Sequence, residues 1–203
     1  MWGTPKPDLE TCVKESSTVK GLFVESIYDE IDDDIDDLDE EEHREAFLGF
    51  FKNSFPFLLC PTLVRRSEDL PDLDWVQVKY SDHQNHTFPD QQGVYIFMVS
   101  FKNANLPENS YVMYVGKAGD TNSNNTIANR FYDYVNKSGY YRRSRVKKLI
   151  KHFSDHLVYH YATIPNGQST ATIEQILADV FVPPCCQMDF SAEVRTLLRG
   201  VRL

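Results

Sequence analysis

The 203-residue chain has little of what marks membrane, secreted or zinc-binding proteins. Its apolar runs stay short of the roughly 18 residues that a membrane-spanning helix needs, and its first residues lack the pattern of a secretory signal. Cysteine occurs four times, at Cys12, Cys60, Cys185 and Cys186, without the paired spacing of a zinc site or disulfide framework. These absences predict an intracellular protein, in the cytoplasm or, in a eukaryote, the nucleus, with no membrane partner.

Basic residues are scarce in only one part of the chain. The formal net charge is −9, which is unusual for a protein that binds nucleic acid. Residues 1–60 contain 5 Lys and Arg against 16 Asp and Glu, whereas residues 61–203 contain 16 against 14. The acidity therefore belongs to the N-terminal part, and the remainder is mildly basic.

Three apolar residues at helical spacing, Ile31, Ile35 and Leu38, interrupt the acidic stretch from Asp29 to Glu42. One hypothesis is a solvated, partly disordered tract, because dense like charges oppose an isolated helix. The other is a regulatory segment that masks the basic groove of its own domain, mimics a nucleic-acid backbone or binds a basic partner. Residues 1–44 are accordingly treated as an acidic N-terminal segment.

Residues 45–90 form a predicted lead-in of helix, loop and edge strand that packs on the following domain. The apolar, Phe-rich stretch from Glu45 predicts a helix to about Asn53, which Pro56 ends. Alternation from Trp75 to Tyr80 is typical of an edge strand.

Two β-prone runs, Val94 to Ser100 and Tyr111 to Val115, lie in the middle of the chain. The polar, proline-containing segment between them predicts an antiparallel hairpin. Each run carries a tyrosine, Tyr95 in the first and Tyr114 in the second. Gly116, at the end of the second run, suits a tight turn or a close approach of the backbone.

Helices and one further strand are predicted after the hairpin. A helix begins near Thr126 and carries Arg130, and another covers Ala171 to Phe181. Between them, Leu157 to Ala162 predicts a third strand. We therefore expect residues 91–203 to form an α+β (mixed) domain, with a small three-stranded central sheet, the hairpin at its centre, flanked by helices.

A run of ten positions, 142–151, contains six basic residues. One interpretation is a solvated basic helix face, with the apolar residues of the run turned inward. The other is a helix that contacts nucleic-acid phosphates. The candidate contacts are Arg142, Arg143, Arg145, Lys147, Lys148 and Lys151.

The sequence from Gly93 to Tyr95, followed later by Tyr114 to Lys117, resembles the two halves of the signature of GIY-YIG nucleases. Arg130 and Glu174 match the family's arginine and glutamate, in order and on helices. The resemblance covers roughly residues 90–190. It departs at Cys186, where the family carries an asparagine. Gln187 fills that position only after a shift of one residue.

The resemblance implies a metal-dependent endonuclease that hydrolyses phosphodiester bonds, with one Mg²⁺ or Mn²⁺ per active site. Glu174 would bind the metal and Arg130 the phosphate. Tyr95 would be the general base, and Lys117 the cation that favours its phenolate. Tyr114 would hydrogen-bond the water or the phosphate.

Tyr134, one helical turn after Arg130, and Cys186 are supporting candidates for the same site. DNA is favoured over RNA as the substrate, and a homodimer is a hypothesis because one site cuts one strand. Two alternatives stay open. In the first, the chain is a catalytically weakened nucleic-acid-binding module, with Cys186 as the discriminating residue. In the second, it is an interaction protein that acts through its acidic segment.

Overall fold

The computed structural model describes residues 40–102, 105, 107–120, 125–136, 143–186 and 190–201. The hypotheses on residues 1–39, Arg142 and Gln187 lie outside these residues. The chain divides between Asn53 and Ser54 into two units. The described part of the first unit is helix α1 (Glu40–Ser54), whose last residue, Ser54, already belongs to the second unit. The helix begins before Glu45, where it was predicted to begin.

The second unit contains five further α-helices among the described residues: α2 (Pro61–Val64), α3 (Ile127–Val135), α4 (Ser144–Phe153), α5 (Thr170–Phe181) and α6 (Ala192–Val201). Helices α3 and α5 begin where the sequence offers a cap. The side chain of Thr126 accepts from the Asn129 N–H at 3.2 Å, and that of Ser169 accepts from the Thr172 N–H at 3.3 Å. No described helix has both the length and the apolar character to cross a membrane.

One antiparallel sheet holds four strands: β1 (Val76–Lys79), β2 (Gly93–Phe101), β3 (Asn109–Ala118) and β4 (Leu157–Thr163). Short 3₁₀ turns at Arg65–Asp69, Tyr80–Asn85 and Ser154–His156 connect the elements. The strand order is β1-β4-β2-β3. The predicted mixed α+β class is therefore confirmed.

The predicted number of strands is wrong. The alternating segment around Val78 pairs with β4 and buries the Val78 side chain, so it is a fourth strand of the same sheet. The hairpin of β2 and β3 lies at one end of the sheet, with β3 as an edge strand, since β4 pairs with the other side of β2. Sequence alternation predicts strands one at a time and does not predict their order.

The strand register collects aromatic side chains on one face of the sheet. Tyr95 lies opposite Gly116 on β3 and Tyr161 on β4, whereas Phe97 lies opposite Tyr114 and Tyr159. Because side chains alternate along a strand, these residues share a face. We call it the aromatic face, formed by Tyr95, Phe97, Tyr114, Tyr159 and Tyr161.

Helix α3 packs on the aromatic face. The ring of Phe131 lies 4.8 Å from that of Tyr159, and the ring of Tyr134 lies 5.1 Å from that of Phe97, both centroid to centroid. Phe131 and Tyr134 are buried, as their helical spacing predicts. This packing brings polar atoms of α3 over the sheet.

The free edge of β3 is covered by the segment that follows α5. The Cys185 N–H donates to the Met113 carbonyl at 3.0 Å, and the Cys186 thiol contacts the backbone of Val115. At the other end of α5, the Thr170 hydroxyl donates to the Gly119 carbonyl at 2.7 Å. These contacts satisfy backbone groups that an edge strand otherwise leaves open.

A buried carboxylate fastens α5 to the elements around it. Asp179 has a side chain only 3% exposed, and it accepts from Arg66 at 2.8 Å and from the Ser191 N–H at 2.9 Å. Arg66 also pairs with Glu193, whose side chain is 69% exposed. One guanidinium thus joins the 3₁₀ turn at 65–69, α5 and α6.

We predict that Arg66→Met destabilises the protein by about 3 kcal/mol, because it leaves the buried Asp179 carboxylate without its cation. Glu193→Gln removes only an exposed partner and is expected to cost about 0–1 kcal/mol. Urea unfolding of both variants measures the difference. Equal stability of the two variants would contradict this account of Asp179.

Candidate functional site

Three tyrosine hydroxyls and one guanidinium meet at the aromatic face. The hydroxyl oxygens of Tyr95 and Tyr134 lie 2.7 Å apart. Arg143 Nη1 donates to the Tyr134 hydroxyl at 2.7 Å and to the Tyr114 hydroxyl at 2.6 Å. The guanidinium carbon also lies 5.7 Å from the centroid of the Tyr114 ring. We call these four residues the tyrosine–arginine cluster.

Each member of the cluster comes from a different element. Tyr95 is on β2 and Tyr114 on β3, and the register places both on the aromatic face. Tyr134 is in the last turn of α3, and Arg143 directly precedes α4. The two tyrosines of the half-motifs and the supporting Tyr134 are thus brought together, and Arg143 is added.

Gly116 makes room for the end of the Tyr95 side chain. A Cβ atom at position 116 would lie 2.5 Å from both Cζ and Oη of Tyr95. Contacts this short do not occur, so any side chain at 116 displaces the tyrosine. The glycine of the second half-motif is therefore required for the tyrosine of the first half-motif to occupy its place.

Burial keeps the phenols of Tyr95 and Tyr114 protonated. It raises the pKa of Tyr95 well above the usual 10, and the neighbouring phenols of Tyr134 and Tyr114 add to this rise. Burial likewise raises the pKa of Tyr114 well above 10, and the positive charge of Arg143 only partly opposes it. In this geometry the Tyr95 phenol is a hydrogen-bonding group, and its role as general base, which needs a lowered pKa, stays a prediction.

Arg143 is half-buried and remains charged. Burial alone would lower its pKa, but the phenols of Tyr134, Tyr114 and Tyr95 outweigh burial and raise it. Among the described residues, no carboxylate oxygen lies within 4.0 Å of the Arg143 guanidinium. The cluster therefore carries a positive charge that its own residues do not balance.

Lys117 does not take the place expected for it beside Tyr95. It lies opposite Val94 in the register, whereas Tyr95 lies opposite Gly116, so the two side chains are on opposite faces of the hairpin. The Lys117 ammonium instead pairs with Asp120 at 2.9 Å. The cation beside Tyr95 is Arg143.

Arg130 lies on α3, one turn before Tyr134. Its guanidinium is 3.6 Å from the Asp133 carboxylate, and its side chain is 25% exposed. Arg130 Nε and the hydroxyl of the fully buried Tyr159 have no hydrogen-bond partner among the described residues. Burial raises the pKa of Tyr159, and the charge of Arg130 opposes the rise.

Glu174 lies near the start of α5 and is half-buried. The hydrogen bonds that hold the tyrosine–arginine cluster do not include it. The described residues contain no group of three or more His, Cys, Asp and Glu arranged to hold a metal ion. A single carboxylate nevertheless suits Mg²⁺, which keeps several waters and takes few protein ligands.

Cys186, at the position expected to be asparagine, braces the main chain of β3. Its sulfur lies 3.4 Å from the Val115 nitrogen and 3.4 Å from the Val115 oxygen. Val115 stands between Tyr114 and Gly116, so the thiol supports the backbone that carries both. An amide side chain makes the same kind of two-sided contact more strongly.

The basic residues of 143–151 serve different purposes. Arg143 joins the cluster, and Arg145 donates to the Pro184 carbonyl at 2.8 Å. Val146, Leu149 and Ile150 of α4 are buried, as the solvated-face interpretation predicts. Lys147 and Lys151 are exposed and Lys148 is half-buried, so three lysines of the predicted set still face solvent.

Comparisons with protein-family models, with curated proteins and with solved structures give no match for this chain. The family resemblance therefore stays a prediction that rests on the residues that suggested it.

Sequence reasoning missed two features of this site. It assigned Arg143 to a phosphate-contacting helix and not to the tyrosines, and it gave Tyr159 no role. Tyr159 had a usable signal, since alternation in the predicted strand 157–162 places it two residues before Tyr161, on one face. Arg143 had none, because its contacts depend on how the chain enters α4.

We predict that Gly116→Ala destabilises the protein by about 1–3 kcal/mol and changes the tyrosine signal in near-UV circular dichroism, because the new methyl group displaces Tyr95. The matched control is Gly200→Ala in α6, where an added Cβ meets nothing within 4 Å. That change is expected to stabilise by about 0.5–1 kcal/mol. A wild-type spectrum and stability for Gly116→Ala would refute the packing argument.

Proposed function

We propose that the chain is a metal-dependent endonuclease that hydrolyses phosphodiester bonds in DNA. One observation carries the proposal. Tyr95 and Tyr114, which come from separate half-motifs, converge with Tyr134 on a single guanidinium. The helix that supplies Tyr134 also carries Arg130, the predicted phosphate ligand.

The chemistry of the cluster supports a phosphate substrate. A phosphodiester is anionic and offers only acceptors, whereas the cluster offers a guanidinium and protonated phenols. Such donors are most effective where water is excluded and negative charge develops in the transition state. Arg130, with its unpartnered Nε, adds a second planar cation on the same side of the sheet.

Glu174 is the residue that would hold the metal ion. The ion, when bound, stabilises charge on the phosphoryl group and its leaving oxygen. The residues of this chain orient the phosphate and shield it from bulk water. Tyr95 holds Tyr134 in place through its hydroxyl, and its role as general base requires that the bound metal ion and Arg143 favour its phenolate.

The exposed lysines of α4 support a nucleic-acid substrate over a small phosphate ester. Lys147 and Lys151 lie on the helix that begins just after Arg143. Cations on such a helix are placed to contact neighbouring phosphates of one backbone, and such contacts position the substrate without reading its sequence.

The alternative of a weakened binding module depended on the departure at Cys186. The thiol occupies a bracing position on Val115, which supports retained geometry around Tyr114. The alternative of an interaction protein concerns the acidic segment, most of which lies outside the described residues, and it rests on the charge pattern alone.

We predict that the full chain nicks or linearises supercoiled plasmid DNA with Mg²⁺ or Mn²⁺, and that Glu174→Gln lowers the rate by about 10²-fold or more, because a metal ligand supplies several kcal/mol to the transition state. The control is Glu68→Gln, an exposed carboxylate on the 3₁₀ turn, which is expected to cut like wild type. A chain that is inert with both metal ions, on DNA and on RNA, would overturn the proposal.

A further inference from the structure

We infer that Arg143, together with the hydroxyls of Tyr114 and Tyr134, forms a binding site for the oxygen atoms of a phosphate group. The two hydroxyls act in it as hydrogen-bond donors. The inference rests on the proposed function, because it names the groups that would hold the scissile phosphate.

A count of donors and acceptors is the first argument. The hydroxyls of Tyr95, Tyr114 and Tyr134 bring three protons, and the hydrogen bonds among them, Tyr95 with Tyr134 and Tyr114 with Tyr134, use at most two. Arg143 fills acceptor positions on Tyr114 and Tyr134 and accepts nothing in return. At least one hydroxyl proton is therefore left without an acceptor among these three residues, and a ligand that offers acceptors completes the cluster.

Charge is the second argument. A half-buried guanidinium without a carboxylate partner is costly, because neutral phenols replace only part of its hydration. Among the described residues, Arg66, Lys117 and Arg130 each have a carboxylate within 4.0 Å, and the half-buried Arg145 donates to the Pro184 carbonyl. Arg143 differs from them because its partners there are hydroxyls that can also donate to an anion, so an external anion suits it.

Exposure gives the direction of approach. Tyr95 and Tyr134 are at most 1% exposed and Tyr114 is 5% exposed, whereas Arg143 is intermediate. A ligand therefore reaches Arg143 first and the Tyr114 hydroxyl next. Tyr95 lies behind them and orients Tyr134, so it is a positioning residue.

The ligand chemistry is a phosphate, from either a nucleic-acid backbone or free inorganic phosphate. The test measures binding of a short DNA duplex to the full chain in EDTA, over a range of salt concentrations. Removing one phosphate contact lowers the slope of log K against log salt by about 1. We expect this for Arg143→Met, together with a loss of affinity of about tenfold or more.

Tyr114→Phe keeps the cation and removes one donor, so we expect weaker binding with an unchanged slope. Arg199→Met, an exposed arginine on α6, is the matched control and is expected to bind like wild type. Circular dichroism and thermal unfolding establish that each variant is folded. If Arg143→Met does not fold, Arg143→Lys and Tyr114→Phe carry the test, because both retain a positive charge in the cluster.

Calorimetry with inorganic phosphate separates the two sources. If Arg143→Met loses binding of inorganic phosphate but keeps binding of DNA, the ligand is a free phosphate. That result would overturn the link to nucleic acid. Folded variants that bind both ligands like wild type would overturn the inference altogether.

The binding test and the plasmid test fail separately. A chain that does not cut DNA, yet binds it through Arg143, refutes the nuclease proposal and leaves this site standing. If the wild-type chain cuts plasmid, and Arg143→Met binds and cuts like wild type, the phosphate site is refuted and the nuclease proposal stands.

Discussion

The register between β2 and β3 is the constraint on which the site depends. It places Tyr95 opposite Gly116. Any other residue at position 116 would have a Cβ that collides with the tyrosine. A slip of one residue would turn Tyr95 to the other face of the sheet. Because the ring is held there, its hydroxyl meets Tyr134, and Tyr134 in turn meets Arg143. The edge contact of Cys186 on Val115 supports the same register from the other side of β3.

The site built on this register has more donors than acceptors. Arg143 lacks a carboxylate in the described part of the chain, and the buried Tyr159 hydroxyl and Arg130 Nε lack any partner there. Folded proteins satisfy most buried polar groups, so these unmet donors lower the stability of the fold. Because they lie together on one face, beside residues that suit a phosphate, they link the architecture to the proposed chemistry.

Local signals in the sequence were enough for most elements and for part of the site. The helix that begins near Thr126 and the helix that covers Ala171 to Phe181 follow from short-range rules, and both were predicted. The convergence of the two motif tyrosines required only a hairpin. Lys117 was predicted to be the cation beside them because it is close in sequence, but closeness in sequence does not show which face of the sheet a side chain takes. Arg143 reaches the tyrosines through tertiary packing, which no periodicity encodes, and the strand order is hidden for the same reason.

The central claim is that the tyrosine–arginine cluster holds a phosphate of nucleic acid, and a crystal structure of the full chain with a short DNA duplex tests it most directly. Ca²⁺ in place of Mg²⁺ favours an uncut complex. The account predicts a backbone phosphate oxygen about 2.7–2.9 Å from a nitrogen of the Arg143 guanidinium, with the Tyr114 hydroxyl donating to the same phosphate. DNA bound along the lysines of α4, with every phosphate beyond hydrogen-bond reach of Arg143 and Tyr114, would contradict it.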